Sequence, residues 1–388
     1  PVDAAIAGHI AAAPPLGAVE RKTPAEAAAA GLRRLVDAAD HRVEEDYLDG
    51  LARAADVVAE LIPVVESLPL TAEEDWTVIG EDEAVVDAYN ALGVAAAAIG
   101  NHEFDFGPSG PRAIPAEPGD APRGALRQRA READFPLLAA NLIDNTTGET
   151  VAWDNVLPSI MVETAGIRVG IIGVMTEHAL QTTIAANVHG LRVAPLAPTI
   201  IREATSLRDQ GADLIVVSAH AGSRCEDFSD AFDTSSCNMD GEIMRTASAL
   251  PTGLVDHIVA GHVHQGIAHI VNGISITSAY SSTRAFSRTD FTVYRDGRGL
   301  ASRLVFPPQP ATIAEGATYE GIELHPDPDV VRVASQAAMA ADAKKNAGLG
   351  VTLSAPFELV PDVESALSNL MTEAVLDSFD ADIAIHNV

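Results

Sequence analysis

The chain has 388 residues, 47% of them apolar, and carries 25 Lys and Arg against 55 Asp and Glu, a formal charge of −30. That much apolar material excludes a wholly disordered chain, and the lack of any apolar run of about 18 residues excludes a membrane-spanning helix. The acid excess argues against a nucleic-acid polymer as partner, because a phosphate backbone needs a basic face and none is visible.

At about 100–200 residues per domain, the length suits two domains, or one large and one partial. Residues 24–68 show helical spacing (Tyr47, Leu48, Leu51, Ala55, Val58, Leu61), which predicts two helices with a break near Ala39–Arg42. A further helix is expected over 82–92 and a buried strand over 94–99. The Pro-, Gly- and Ala-rich stretch 108–126 reads as a surface loop. A strand at 136–141 leads into a turn at Asn145–Gly148, and a hairpin pairs 159–164 with 167–174 across Ala165–Gly166. Helix 197–209 precedes strand 213–218, and helix 241–249 precedes strand 255–260. Short strands follow at 268–271, 274–279, 288–295 and 302–306, closed by Pro307, Pro308 and Pro310. A helix over 327–346 opens at "HPDPD", and 351–386 reads as strand, helix, strand. Alternating β and α followed by a β-rich half predicts a layered α/β domain with a mixed sheet, then the start of a second α/β domain. The chain opens on Pro1 without a secretory pattern and closes on "ADIAIHNV", so a fragment at one or both ends is expected.

Cys225 and Cys237 sit in one polar stretch, "GSRCEDFSDAFDTSSCNMD". One local disulfide in an oxidising compartment is the favoured reading, with two free thiols as the alternative. Their spacing is wider than the Cys-x2–4-Cys of most structural zinc sites.

Three segments place metal-binding side chains after predicted strands, where ligands of α/β sheets gather. They are "GNHEFDFG" at 100–107, "VVSAHAG" ending near His220, and "HIVAGHVHQG" with His262 and His264. In an extended segment residues i and i+2 point the same way, so both imidazoles of His262 and His264 are expected to face one site. Each set alone is a weak metal signal, and a lone histidine after a strand is more often structural. Three sets at strand ends together predict a metal site.

These segments resemble the 5′-nucleotidase family of calcineurin-like metallophosphoesterases. "GNHEFDFG" is similar to that family's most specific motif. "AANL" at 139–142, "VGIIGVMT" at 169–176, His220 and "GHVH" at 261–264 follow in its order and spacing, and "EAVVDAYNALG" precedes the motif as in the family. "ESALSNLMTEAVLDSFDADIAIHN" resembles the opening of its C-terminal domain, so the likeness covers roughly 80–387.

The resemblance implies a four-layer α/β/β/α sandwich and a site for two divalent metals (Zn, Mn or Co). Asn101, His220 and His262 would be ligands of one metal and His264 of the other. His102, backed by Asp105, would be the catalytic acid–base pair, and a metal-bound hydroxide would attack the phosphorus of a 5′-nucleotide or related phosphate ester. The implied organisation is an atypical helical part at 1–80, a catalytic domain at 81–312, a linker helix at 313–347 and a truncated C-terminal domain at 348–388. The implied location is extracytoplasmic: periplasmic, secreted or on the cell surface.

Two features depart from the family. Its members open with an Asp-x-His that binds the first metal, and no Asp-x-His precedes residue 100 here. Its bridging Gly-Asp has only "LVDAADHR" as a counterpart, with Asp40 as the candidate and Ala39 in place of Gly. The alternative expectation is therefore a non-catalytic binding module with an incomplete metal site.

Overall fold

The computed structural model describes residues 83–110, 112–294, 299–311, 317–347 and 365–378. The chain divides into two compact units, 75–342 and 1–74 with 343–388. The helices expected within 24–68, Asp40, and the strands expected at the two ends of 351–386 lie outside the described residues.

The first unit is mixed α/β. Helix α1 (Glu83–Leu92) stops at Gly93, whose φ of +66° only glycine adopts freely. There the amides of Gly93 and Val94 close the helix onto Asn90 and Tyr89. Strand β1 (Ala97–Ala98), β2 (Leu137–Leu138) and β4 (Val156–Leu157) form a small parallel sheet in the order β1-β2-β4. The apolar runs at 94–99 and 136–141 thus pair over only two residues each.

The loop expected at 108–126 ends early. Helix α2 (Gly124–Glu132) begins inside it, because Gly124 lies against the backbone of Ser109 and the helix buries Ala125, Leu126, Arg129 and Ala130. Strand β3 (Leu142–Asp144) pairs antiparallel with β7 (Leu191–Val193), a pairing across 47 residues that no local pattern announces. Asn141, fully buried, ties this region together. Its amide donates to the carbonyls of Met175 and Ala194 and its Oδ1 accepts from Met175 N.

The main sheet has six strands. The hairpin β5 (Ser159–Thr164) and β6 (Ile167–Met175) forms as expected. Then come β8 (Leu214–His220), β9 (His257–Ala260), β10 (Gly266–Val271) and β11 (Ile274–Ala279), in the order β10-β11-β9-β8-β6-β5. The four central strands are parallel and the two edges antiparallel. After the short helix α3 (Ala185–Val188), helix α4 (Leu196–Asp209) packs Leu196, Ile200, Ala204 and Leu207 against Ile172, Val174, Ile215 and Val217 of the sheet. This is one face of a 3.6-residue period meeting the doubly buried strands of a parallel sheet. Helix α5 (Glu242–Ala249) adds Ile243, Met244 and Ala247 to the same core. Arg208 and the buried Asp256 bind each other at 2.6 Å, and Asp256 also accepts the amide of Ile215, pinning α4 to the start of β9.

Strands β12 (Ala285–Tyr294) and β13 (Gly299–Pro310) are longer than expected and form a separate ribbon. Pro307 and Pro308 lie inside β13, which ends at Pro310. Pro307 and Pro308 fall where the register shifts opposite Phe286–Arg288, so no ladder hydrogen bond is lost to their missing N–H. A small hairpin of β14 (Thr318–Tyr319) and β15 (Ile322–Glu323) leads to helix α6 (Pro328–Lys345), close to the 327–346 expected. In the second unit, α7 (Ala366–Ser378) is capped by Ser365, whose Oγ accepts from Ser368 N.

Candidate active site

Four loops at the carboxyl ends of strands bring the candidate residues together. After β1, Gly100 turns the chain, its amide donating to Glu103 Oε2 at 2.7 Å. His102–Phe104 then form one 3-10 turn. Phe104 is buried and anchors the turn, which leaves His102 outside with its side chain 70% exposed. Three residues per turn eclipse positions i and i+3. His102 Nδ1 accordingly meets Asp105 Oδ2 at 2.6 Å, and Thr183 Oγ1 donates to the other oxygen of Asp105 at 2.9 Å.

Asn101 points the opposite way and is buried. Its Nδ2 donates to Thr182 O at 3.2 Å, which turns Oδ1 toward His220 Nε2, 2.8 Å away. His262 Nδ1 lies 3.1 Å from the same Nε2. Gly100 is required here, because a Cβ on it would stand 2.6 Å from the His220 ring.

His220 is pushed down to about 4, first by burial and then by the charges of His262, His102 and His264. Burial also lowers His262, with Glu242 opposing. Both rings are thus held neutral, the form that donates a lone pair to a metal. Ligands about 2.0–2.2 Å from one octahedral ion, at right angles, stand about 3 Å apart, against about 3.3–3.6 Å around a tetrahedral zinc. The separations from His220 Nε2, 2.8 Å to Asn101 Oδ1 and 3.1 Å to His262 Nδ1, match the right-angle spacing. The donor set of one amide oxygen and two imidazoles therefore fits a borderline divalent ion.

His264 does not join this trio. His262 and His264 both have left-handed backbones, with φ of 69° and 60°, so the segment is not extended and the i, i+2 argument fails. His264 is exposed and acts on His220 and His262 through charge alone. Among the described residues, no three His, Cys, Asp or Glu ligand atoms within 4.8 Å of one another occur at this site.

A cavity of about 620 Å³ opens beside His102, lined among others by Tyr89, Phe106, Phe135, Leu137 and Ser218. Sequence reasoning missed Thr182, Thr183 and Glu242. The threonines lie about 80 residues from their partners, and no spacing rule links them.

No family model matches the chain. The cell wall protein Lmo0130 of Listeria monocytogenes is 27% identical over 314 residues, covering 76% of this chain and 38% of that protein. Protein UshA of Escherichia coli is 25% identical over 232 residues, covering 54% and 36%. A 5′-nucleotidase precursor from Thermus thermophilus shares the fold, with a TM-score of 0.51 and 21% identity over 76% of this chain and 53% of that one. The chain is similar in sequence and fold to proteins of the 5′-nucleotidase family. Its fold is that of the calcineurin-like phosphoesterases. It spans well under two thirds of the length of the curated relatives it matches. Among the described residues, no helix is long and apolar enough to cross a membrane. Cys225 and Cys237 form a disulfide, the favoured of the two readings of that pair.

Proposed function

We propose that the chain is a metal-dependent phosphoesterase hydrolysing 5′-nucleotides or related nucleotide phosphate esters outside the cytoplasm. The observation that carries this reading is the His102–Asp105 contact at 2.6 Å, beside the donor trio of Asn101, His220 and His262. Asp105 accepts from Nδ1 of His102, fixing the ring so that Nε2 of the charged form delivers its proton to the leaving oxygen. Thr183 holds Asp105 in turn. Asn101, His220 and His262 would hold one ion, and His264 would contribute to a second. Such ions (Zn, Mn or Co) would supply Lewis-acid neutralisation of the phosphoryl oxygens and activation of water. The aromatic lining of the cavity beside His102 suits a nucleoside leaving group. Residues 81–312 would be the catalytic domain, 313–347 the linker helix and 348–388 the start of a substrate-recognition domain. The disulfide and the relative named as a cell wall protein support an extracytoplasmic location.

The test is bound metal per chain, with Mn, Zn and Co supplied, alongside phosphate release from AMP. Two metals with release support the proposal. One metal or none, without release, supports the binding-module reading instead. His102→Ala is expected to keep the metal content and to lower turnover about 10²–10⁴-fold. Unchanged turnover removes His102 from the mechanism.

A further inference from the structure

The loop between β8 and α5 carries the Cys225–Cys237 disulfide, and β10 carries His269 beside it. The two sulfurs and a ring nitrogen of His269 all lie within 4.8 Å of one another. His269 is fully buried, and its Nε2 has no hydrogen-bond partner. Its Nδ1 accepts a long hydrogen bond from the Ala268 amide at 3.4 Å, and the Asp227 backbone also bears on the ring. A buried polar atom without a partner is rare in native folds and calls for a cause.

We propose that reduction of Cys225–Cys237 opens a second metal site, in which the two thiolates and His269 bind a thiolate-seeking divalent ion such as Zn²⁺. Two sulfurs and an imidazole are a zinc donor set, and Mg²⁺ or Ca²⁺ would be refused because they take oxygen ligands. With Zn–S near 2.3 Å and Zn–N near 2.0 Å, tetrahedral ligands stand about 3.5–3.8 Å apart, so the sulfurs, bonded to each other in the bridge, must separate on reduction while staying near the His269 ring. Burial lowers the pKa of His269 and favours the neutral ring that can ligate, opposed by the Asp227 backbone and by the carboxylates of Asp227, Asp233 and Asp230. Cys237 is only partly buried, which gives the ion an entry.

The loop does not depend on the bridge alone. Cys225 N donates to Gly266 O, Ile270 N to Ala231 O, Asn238 N to Arg224 O, and Ser223 Oγ to Asn238 O. These bonds keep both cysteines beside His269 after the bridge opens. The chemistry balances. A dithiol reductant becomes its own disulfide and delivers two electrons and two protons, giving two thiols. Metal binding then releases those two protons as both sulfurs become thiolates.

The test is Co²⁺ titration of the full chain, oxidised and reduced, followed by the thiolate-to-cobalt charge-transfer absorption. The histidines of the candidate active site cannot produce a sulfur band, so the two sites are read separately. The reduced chain is expected to gain one sulfur-ligated Co²⁺ that Zn²⁺ displaces, while the oxidised chain gains none. Cys237→Ser is expected to abolish the band, and His269→Asn to weaken binding about 10–100-fold. Should His269→Asn fail to fold, slowed alkylation of the wild-type thiols by Zn²⁺ serves in its place. Absence of a sulfur band from the reduced chain, unslowed alkylation under Zn²⁺, or unfolding on reduction would each overturn the proposal.

Discussion

A single 3-10 turn sets the roles of two adjacent residues. Because positions i and i+3 eclipse, His102 and Asp105 share one side, while Asn101 is turned inward to the histidines. Gly100 lets the His220 ring lie over that turn. Gly100→Ala is therefore expected to weaken metal binding about 10–100-fold, as misplaced ligand support does, while His102 stays in place. Equal metal affinity in calorimetry would refute it. His257 offers a pH test away from the site. Its Nδ1 faces the Ser275 carbonyl, and burial pushes its pKa down to about 4 from 6.5. Above pH 6.5 the ring is neutral in both folded and unfolded chains, so stability is full. As pH falls toward 4 only the unfolded chain takes up the proton, and stability falls by on the order of 3 kcal/mol. His220 acts in the same direction in metal-free protein. The exposed carboxylates with lowered values, such as Asp120 and Asp144, titrate below this window. Urea midpoints at pH 7 and pH 5 should drop less for His257→Gln than for the wild type, and parallel drops would refute the assignment.

At the scale of elements, β2 and β6 meet at a close backbone approach. A Cβ on Gly173 would stand 2.1 Å from Leu138 Cβ and 2.7 Å from its backbone, and Ala140 N donates to Gly173 O at 2.7 Å. Neither backbone can yield without opening the sheets. Gly173→Ala is expected to cost about 1–3 kcal/mol or more in urea unfolding, through overpacking alone, since its φ is not in the left-handed region. Elements whose burial repeats along one segment were legible in the sequence: α4, the β5–β6 hairpin, β8 and α6 all lie within a few residues of expectation. Those set by distant contacts were not. The β3–β7 pairing, the start of α2 at Gly124 and the passage of β13 through its prolines depend on partners that local periodicity cannot see. The candidate site divides the same way. Asn101, His102, Asp105, His220 and His262 stood out as types of residue at strand ends. The threonines that orient two of them and the left-handed backbones at His262 and His264 did not.

The whole molecule carries a formal charge of −30. Like charges packed into a compact body repel, and at about 0.15 M salt the screening length is about 8 Å. Raising NaCl from about 10 mM to about 500 mM is therefore expected to raise the urea midpoint at pH 7, and no shift would mean that ion pairs such as Arg288–Asp290 already offset the repulsion. The positive φ angles at His262 and His264 bear on the molecule as a whole in another way. Glycine would suit both positions better than histidine, by about 1 kcal/mol each. Any search among variants for thermal robustness alone would reach these two positions early and gain from erasing the imidazoles. The chain's heat tolerance and its candidate chemistry are set against each other at two residues, and only a selection that reads both would keep them.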